Sequence, residues 1–156
     1  MKYLFSLSLL FSFCIISVHA QYEYVDPTGT YLLKGTTKKQ QIMDHHGEIR
    51  VKLISEGKVA ICLYINKGYP GYESGALMDT LEYSDNQVNF SHLKDPGCSV
   101  YVHFTRKEAE IRQKYSDPQS GCGFEKGVLI SAVFPKTSGD IPQIQDLSRR
   151  GDTERN

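Results

Sequence analysis

Apolar and polar residues alternate with a period of two over much of this chain. In EIRVKLI, residues 48–54, Ile49, Val51 and Leu53 fall on one face and Glu48, Arg50 and Lys52 on the other. The turn SEGK follows, then KVAICLYIN, residues 58–66, where Val59, Ile61, Leu63 and Ile65 form the matching face. Successive side chains of a strand point to opposite sides, so the two runs predict a hairpin. Cys62 falls on the opposite face, beside Ala60 and Tyr64.

The same pattern recurs. LMDTLEY (77–83) turns at SDNQ into QVNFSH (87–92). SVYVHFTR (99–106) turns at KEAE into EIRQKYS (110–116). GTYLLKG (29–35) reads as a first strand and GVLISAVFPK (127–136) as a last one, ended by Pro135. No stretch holds a 3.6-residue period. The expected fold is therefore all-β, a single antiparallel meander of about eight short strands, closed as a small barrel or folded as a sandwich. Two longer gaps remain, residues 36–47 and 67–76. The second, KGYPGYESGA, is too rich in glycine and proline to be strand throughout. Residues 137–156 are polar, carry no apolar stripe and are expected to form a disordered tail. Arg150-Gly151-Asp152 within it is a tripeptide common by chance.

The N-terminus sets the compartment. Lys2 precedes an apolar run from Leu4 to Val18, and Val18 and Ala20 are small residues where a signal peptidase reads. A secretory signal is expected over residues 1–20, leaving a β domain over 21–136. The run spans about 15 residues, short of the ~20 that a membrane span needs. The expectation is a soluble secreted or periplasmic protein with no membrane span. The chain has 18 Lys and Arg against 18 Asp and Glu. Loss of Lys2 leaves it close to neutral, so no strong field draws in nucleic acid or an anionic membrane.

Four cysteines are present, and Cys14 leaves with the signal. Cys62, Cys98 and Cys122 make an odd number in an oxidising compartment, read as one disulfide and one unpaired thiol. Cys62 sits mid-strand between Ile61 and Leu63, with no base beside it, and reads as a buried apolar cysteine. Asp44-His45-His46 is a poor metal motif, since adjacent strand residues point apart. His92 and His103 are isolated. Ser74 lacks the flanking glycines of a nucleophile elbow, and Gly121-Cys122-Gly123 precedes no phosphate-loop lysine. No catalytic residue, metal site or cofactor is expected. Asn89-Phe90-Ser91 is a glycosylation sequon, relevant only in a eukaryotic host. Tyr69, Tyr72 and Glu73 share the Gly/Pro-rich loop. Tyrosines held out from a rigid scaffold are typical interface anchors, so these three form the candidate partner-binding loop.

GEIRVKLISEGKVAICLYINKGYPGYESGALMDTLEY, then NF with a cysteine ahead of SVYVHF, then CGF, resembles small exported Bacteroidota proteins with a C…CGF(G) motif. The likeness covers residues 29–136. Glu125 stands where that motif has glycine, and Ala132 and Phe134 replace its later Gly and Tyr. Such proteins are similar in kind to periplasmic lysozyme inhibitors and toxin-immunity proteins. Ser74-Gly75-Ala76-Leu77-Met78 lacks the tyrosine of the known inhibitory loop, so no inhibitory residue carries over. A Cys98–Cys122 bridge goes with this reading. The functional expectation is an exported non-catalytic binding protein, an inhibitor or immunity protein acting on a secreted or periplasmic enzyme or toxin. The alternative is a calycin-like barrel holding a small apolar ligand.

Overall fold

The alternation of the sequence becomes the wall of a closed antiparallel barrel. A computed structural model describes residues 23–92, 95–115 and 120–145. The expected signal segment, 1–20, lies outside them. The strands are β1 (Gly29–Leu33), β2 (Thr37–Lys38), β3 (Gln41–Ile42), β4 (His46–Ser55), β5 (Lys58–Asn66), β6 (Ser74–Ser84), β7 (Gln87–His92), β8 (Asp95–Phe104), β9 (Glu108–Tyr115) and β10 (Ala132–Ser138). The barrel order is β1-β10-β9-β8-β7-β6-β5-β4, with β4 returning to β1. The short hairpin β2–β3 stands apart from the wall and occupies the first long gap.

Turn chemistry explains the hairpins. Gly57 takes φ +77° between β4 and β5. Asp85 and Asn86 both take positive φ between β6 and β7, the requirement of a two-residue hairpin loop whose twist matches its strands. The β8–β9 turn falls at residues 105–107, where the Thr105 hydroxyl accepts the N–H groups of Lys107 and Glu108. The expected turn at KEAE was placed slightly late, because Glu108 and Ala109 already belong to β9.

The last strand departs further from its expected bounds. It begins at Ala132, not at Gly127. Gly127 takes φ +75°, and the Val128 N–H donates to the Glu125 carbonyl at 3.0 Å, so the backbone turns there. Val128 and Leu129 are nonetheless buried, as loop residues tucked into the end of the core. The strand runs on to Ser138, past the expected domain boundary at 136. Residues 141–145 then lie against β4 and β5 from outside, near Lys52, Ile54 and Ala60. The Arg50 guanidinium donates to the Gln143 carbonyl at 3.4 Å. Of the expected tail, 146–156 lie outside the described residues.

The inward face of each strand supplies the core. Ile49 and Val51 of β4 and Val59, Ile61, Leu63 and Ile65 of β5 are fully buried, as the alternation requires. Tyr31, Tyr83, Phe104 and Phe134 fill the remaining space. Tyr31 lies 5.6 Å from Phe104 between ring centroids, and Tyr83 lies 6.0 Å from Phe104. Tyr31 donates its hydroxyl to the Pro27 carbonyl at 2.8 Å, which removes the penalty of burying it. The segment before β1 closes this end. Asn86, itself buried, accepts the Val25 N–H at 2.9 Å and donates to the Glu23 carbonyl at 2.7 Å.

The connections are unequal at the two ends of the barrel. The hairpins β4–β5, β6–β7 and β8–β9 turn tightly at one end. The other end carries residues 34–45, 67–73 and 120–131, the long connections. Loops that vary over a rigid wall are where binding residues are found most often.

Candidate functional site at the long-loop end

Asn66, the last residue of β5, organises the loop that follows. Its side-chain oxygen accepts the Gly68 N–H at 2.7 Å. Its amide nitrogen donates to the Tyr72 carbonyl at 2.9 Å and to the Tyr64 hydroxyl at 3.3 Å. An asparagine that bonds the backbone two residues on substitutes for a backbone turn. Gly68 takes φ +76°, and a Cβ there would sit 2.7 Å from the Asp44 carbonyl oxygen, so only glycine fits. The Tyr72 N–H donates to the Gly68 carbonyl at 2.9 Å and the Lys67 N–H to the Glu73 carbonyl at 3.0 Å. The Tyr69 N–H donates to the Ile42 carbonyl at 2.7 Å and ties the loop to β3. Each bond fixes backbone, so the segment is held on both flanks.

The three residues expected to act together are brought together. The rings of Tyr69 and Tyr72 meet edge to face, with centroids 6.2 Å apart. Tyr69 is 44% exposed, whereas Tyr72 is half-buried with its backbone at φ +55°. The Tyr69–Pro70 peptide is cis, and Pro70 and Gly71 form the exposed tip. Glu73 lies 3.6 Å from the Lys67 ammonium. Both are well solvated, so this pair contributes about 0–1 kcal/mol and leaves the carboxylate open to other cations.

Residues 120–131 form the second wall. The Cys98–Cys122 disulfide ties them to the start of β8. Cys122 takes φ +55° and Gly123 φ +86°, so Gly121-Cys122-Gly123 is a tight turn that delivers the sulfur to its partner. The Phe124 ring lies directly on Gly75, where any Cβ would collide with it. Gly75 is thus the space that lets this loop close over the start of β6. His45 joins the third loop to the second, its Nε2–H donating to the Gly127 carbonyl at 2.8 Å. His46 uses Nδ1 on the Asp44 carbonyl at 3.2 Å. The two imidazoles therefore serve separate backbone contacts. A hollow of about 350 Å³ opens beside Tyr115, Ser120, Lys126 and Ile130, between the end of β9 and the second loop. Tyr115 is 46% exposed at its margin.

Asn66, Gly75 and Phe124 are not marked as site residues by the sequence, and His45 draws notice there only as part of the Asp44-His45-His46 run. Asn66 carried a readable signal, the spacing Asn-Lys-Gly at the end of a strand. The His45–Gly127 bond joins residues 82 apart, and no local pattern announces it.

Cys62 lies away from this end. It is free and 1% exposed, yet it sits on the outer face of β5. Residues up to Gln145 cover it. Burial pushes its thiol up from the ordinary value, and hydrogen bonding from the Gln145 backbone opposes that only in part. It is held as a thiol. Among the described residues, no cluster of three His, Cys, Asp or Glu could hold a metal ion. No helix there is long and apolar enough to cross a membrane. No family model, curated protein or solved structure matches the chain.

Proposed function

We propose that this is an exported, non-catalytic binding protein whose long-loop end docks into a secreted or periplasmic enzyme or toxin and blocks it. The observation that carries the reading is the Tyr69–Tyr72–Glu73 loop. Its backbone is fixed by Asn66, Ile42 and Lys67, while Tyr69 and the Pro70-Gly71 tip stand out from the barrel. A preorganised tyrosine loop loses little conformational entropy on binding, which favours tight association. The disulfide suits an oxidising compartment and supports export.

The alternative, a barrel enclosing an apolar ligand, has less support. Such a ligand needs an interior wider than its side chains can fill. Tyr31, Phe104, Phe134 and the β4–β5 aliphatic residues occupy the centre here and are fully buried. The larger hollow, about 860 Å³, lies outside the wall, between β4–β5 and residues 141–145.

The test is capture of exported proteins on the immobilised protein, followed by assay of whatever is retained. Stoichiometric capture of an enzyme whose activity falls on binding supports the proposal. An apolar molecule that co-purifies with the barrel, with no enzyme retained, overturns it.

A further inference from the structure

One long stretch of the barrel wall is paired on a single side. β6 pairs with β5 without a bulge through nine residues, from Ser74 opposite Asn66 to Glu82 opposite Lys58. On its other side β6 meets β7 only at Tyr83–Val88 and Ser84–Gln87. From Phe90 on, β7 pairs only with β8 among the described residues.

The direction of the free groups follows from two bonds. The Tyr83 N–H donates to Gly57 on the β5 side, and the Glu73 carbonyl accepts from Lys67 on that same side. The N–H and C=O of one strand residue point the same way, and the next residue points the other. Ser74, Ala76, Met78 and Thr80 therefore direct their backbone groups at the open edge, whereas the Glu82 carbonyl, directed the same way, accepts the Asn89 N–H beside the Tyr83–Val88 pair. The Thr80 N–H is met by the Asp79 carboxylate at 2.7 Å. The other outward N–H groups have no backbone partner among the described residues. Open edges are ordinarily protected by charged side chains, proline or a bulge. Residues 74–82 have no proline, lysine or bulge; their only charges are Asp79 and Glu82, and Met78 at their centre is 56% exposed.

We infer that this edge pairs antiparallel with the same edge of a second copy of the chain, about a two-fold axis at Met78. In that register Met78 faces Met78 of the second copy, Ala76 faces Thr80, and Ser74 faces Glu82. Met78–Met78 exchanges two hydrogen bonds, Ala76–Thr80 does so once the Thr80 N–H leaves the Asp79 carboxylate, and Glu82 offers its N–H alone to Ser74. Asp79 faces Leu77, so no like charges are opposed. Centring on Asp79 would oppose two carboxylates. Centring on Thr80 would require Ser84, already paired with β7. Centring on Leu77 leaves the Glu82 N–H outside the ladder. An isologous two-fold contact also closes, so it ends at a dimer and builds no fibre. The chain's zero formal net charge removes the repulsion that would keep copies apart.

Sedimentation of the purified protein over a wide concentration range tests this. The wild type is expected to form a reversible dimer. Met78→Pro removes an N–H that faces solvent in the monomer, so the β5 ladder survives. Met78→Lys keeps every backbone group and sets like charges opposite one another. Each is expected to raise the dissociation constant at least about tenfold with the fold intact. Amide exchange gives a second signature. Ala76, Met78 and Glu82 should become protected on dimerisation, whereas Leu77, Asp79 and Leu81 are protected in both states. A wild type that stays monomeric throughout, or a dimer indifferent to both variants, overturns the inference.

Discussion

The Asn66 side-chain oxygen accepts the Gly68 N–H at 2.7 Å, from a position 6% exposed to solvent. With the second bond from Asn66 to the Tyr72 carbonyl, one buried amide sets the path of the tyrosine loop. Asn66→Ala leaves a buried donor and acceptor unmet, and is expected to cost about 1–3 kcal/mol of stability. Asn66→Asp keeps the acceptor for Gly68 but loses the donor for Tyr72. Denaturant unfolding should rank the two below wild type, with fast exchange of the Gly68 amide only in the alanine variant.

Gly75 and Phe124 form the second dependence. Gly75→Ala drives a methyl group into the Phe124 ring, with an expected loss of about 1–3 kcal/mol. Adding Phe124→Ala should return part of that loss, because the collision disappears. A double-mutant cycle reads the coupling directly. Additive effects would mean that the ring does not rest on Gly75.

The disulfide should stabilise without serving chemistry. Cys98 and Cys122 are 24 residues apart, a loop whose closure in the unfolded chain is worth about 3–4 kcal/mol. Cys98→Ser and Cys122→Ser should lower the melting temperature similarly. Thiol titration of the unfolded chain from residue 21 onward should find one free cysteine, Cys62. In the native state that thiol should react slowly, since residues up to Gln145 cover it and burial keeps it protonated. Truncation after Ser138 should speed its labelling.

Tyr31 sets an alkaline limit. Burial, with a smaller contribution from Asp26, raises its ionisation well above the ordinary value near 10. The folded state therefore keeps a proton that the unfolded chain releases above about pH 10. Stability is complete below that pH and falls as pH rises through it. Tyr31→Phe gives up the bond to the Pro27 carbonyl and is less stable at neutral pH. Its stability should decline less steeply between about pH 10 and 12, measured by denaturant midpoint.

The barrel wall was legible because a strand with one buried face must alternate. Ile49, Val51, Val59, Ile61, Leu63 and Ile65 did so, and all are buried. The start of the last strand was not legible. Val128 and Leu129 are equally apolar whether extended or tucked into a turn, and only the positive φ of Gly127 separates the two. The strap over Cys62 has only Pro142 and Ile144 as partly buried apolar residues, with Ile141 70% exposed, too few to form a period. Of the site, Tyr69, Tyr72 and Glu73 could be read from loop composition. The groups that hold them could not, since Tyr69 bonds to Ile42 and His45 to Gly127 across long stretches of chain. The gap between β6 and β7 left no trace either, because alternation reports a strand's faces and not its edges.

Binding of a partner enzyme by the tyrosine loop is measured by calorimetric titration of the captured enzyme with wild type and with Tyr69→Ala/Tyr72→Ala. The double variant is expected to lose at least about 2 kcal/mol, roughly thirtyfold in affinity, with a melting temperature close to wild type. An unchanged affinity in the double variant would contradict binding through this loop.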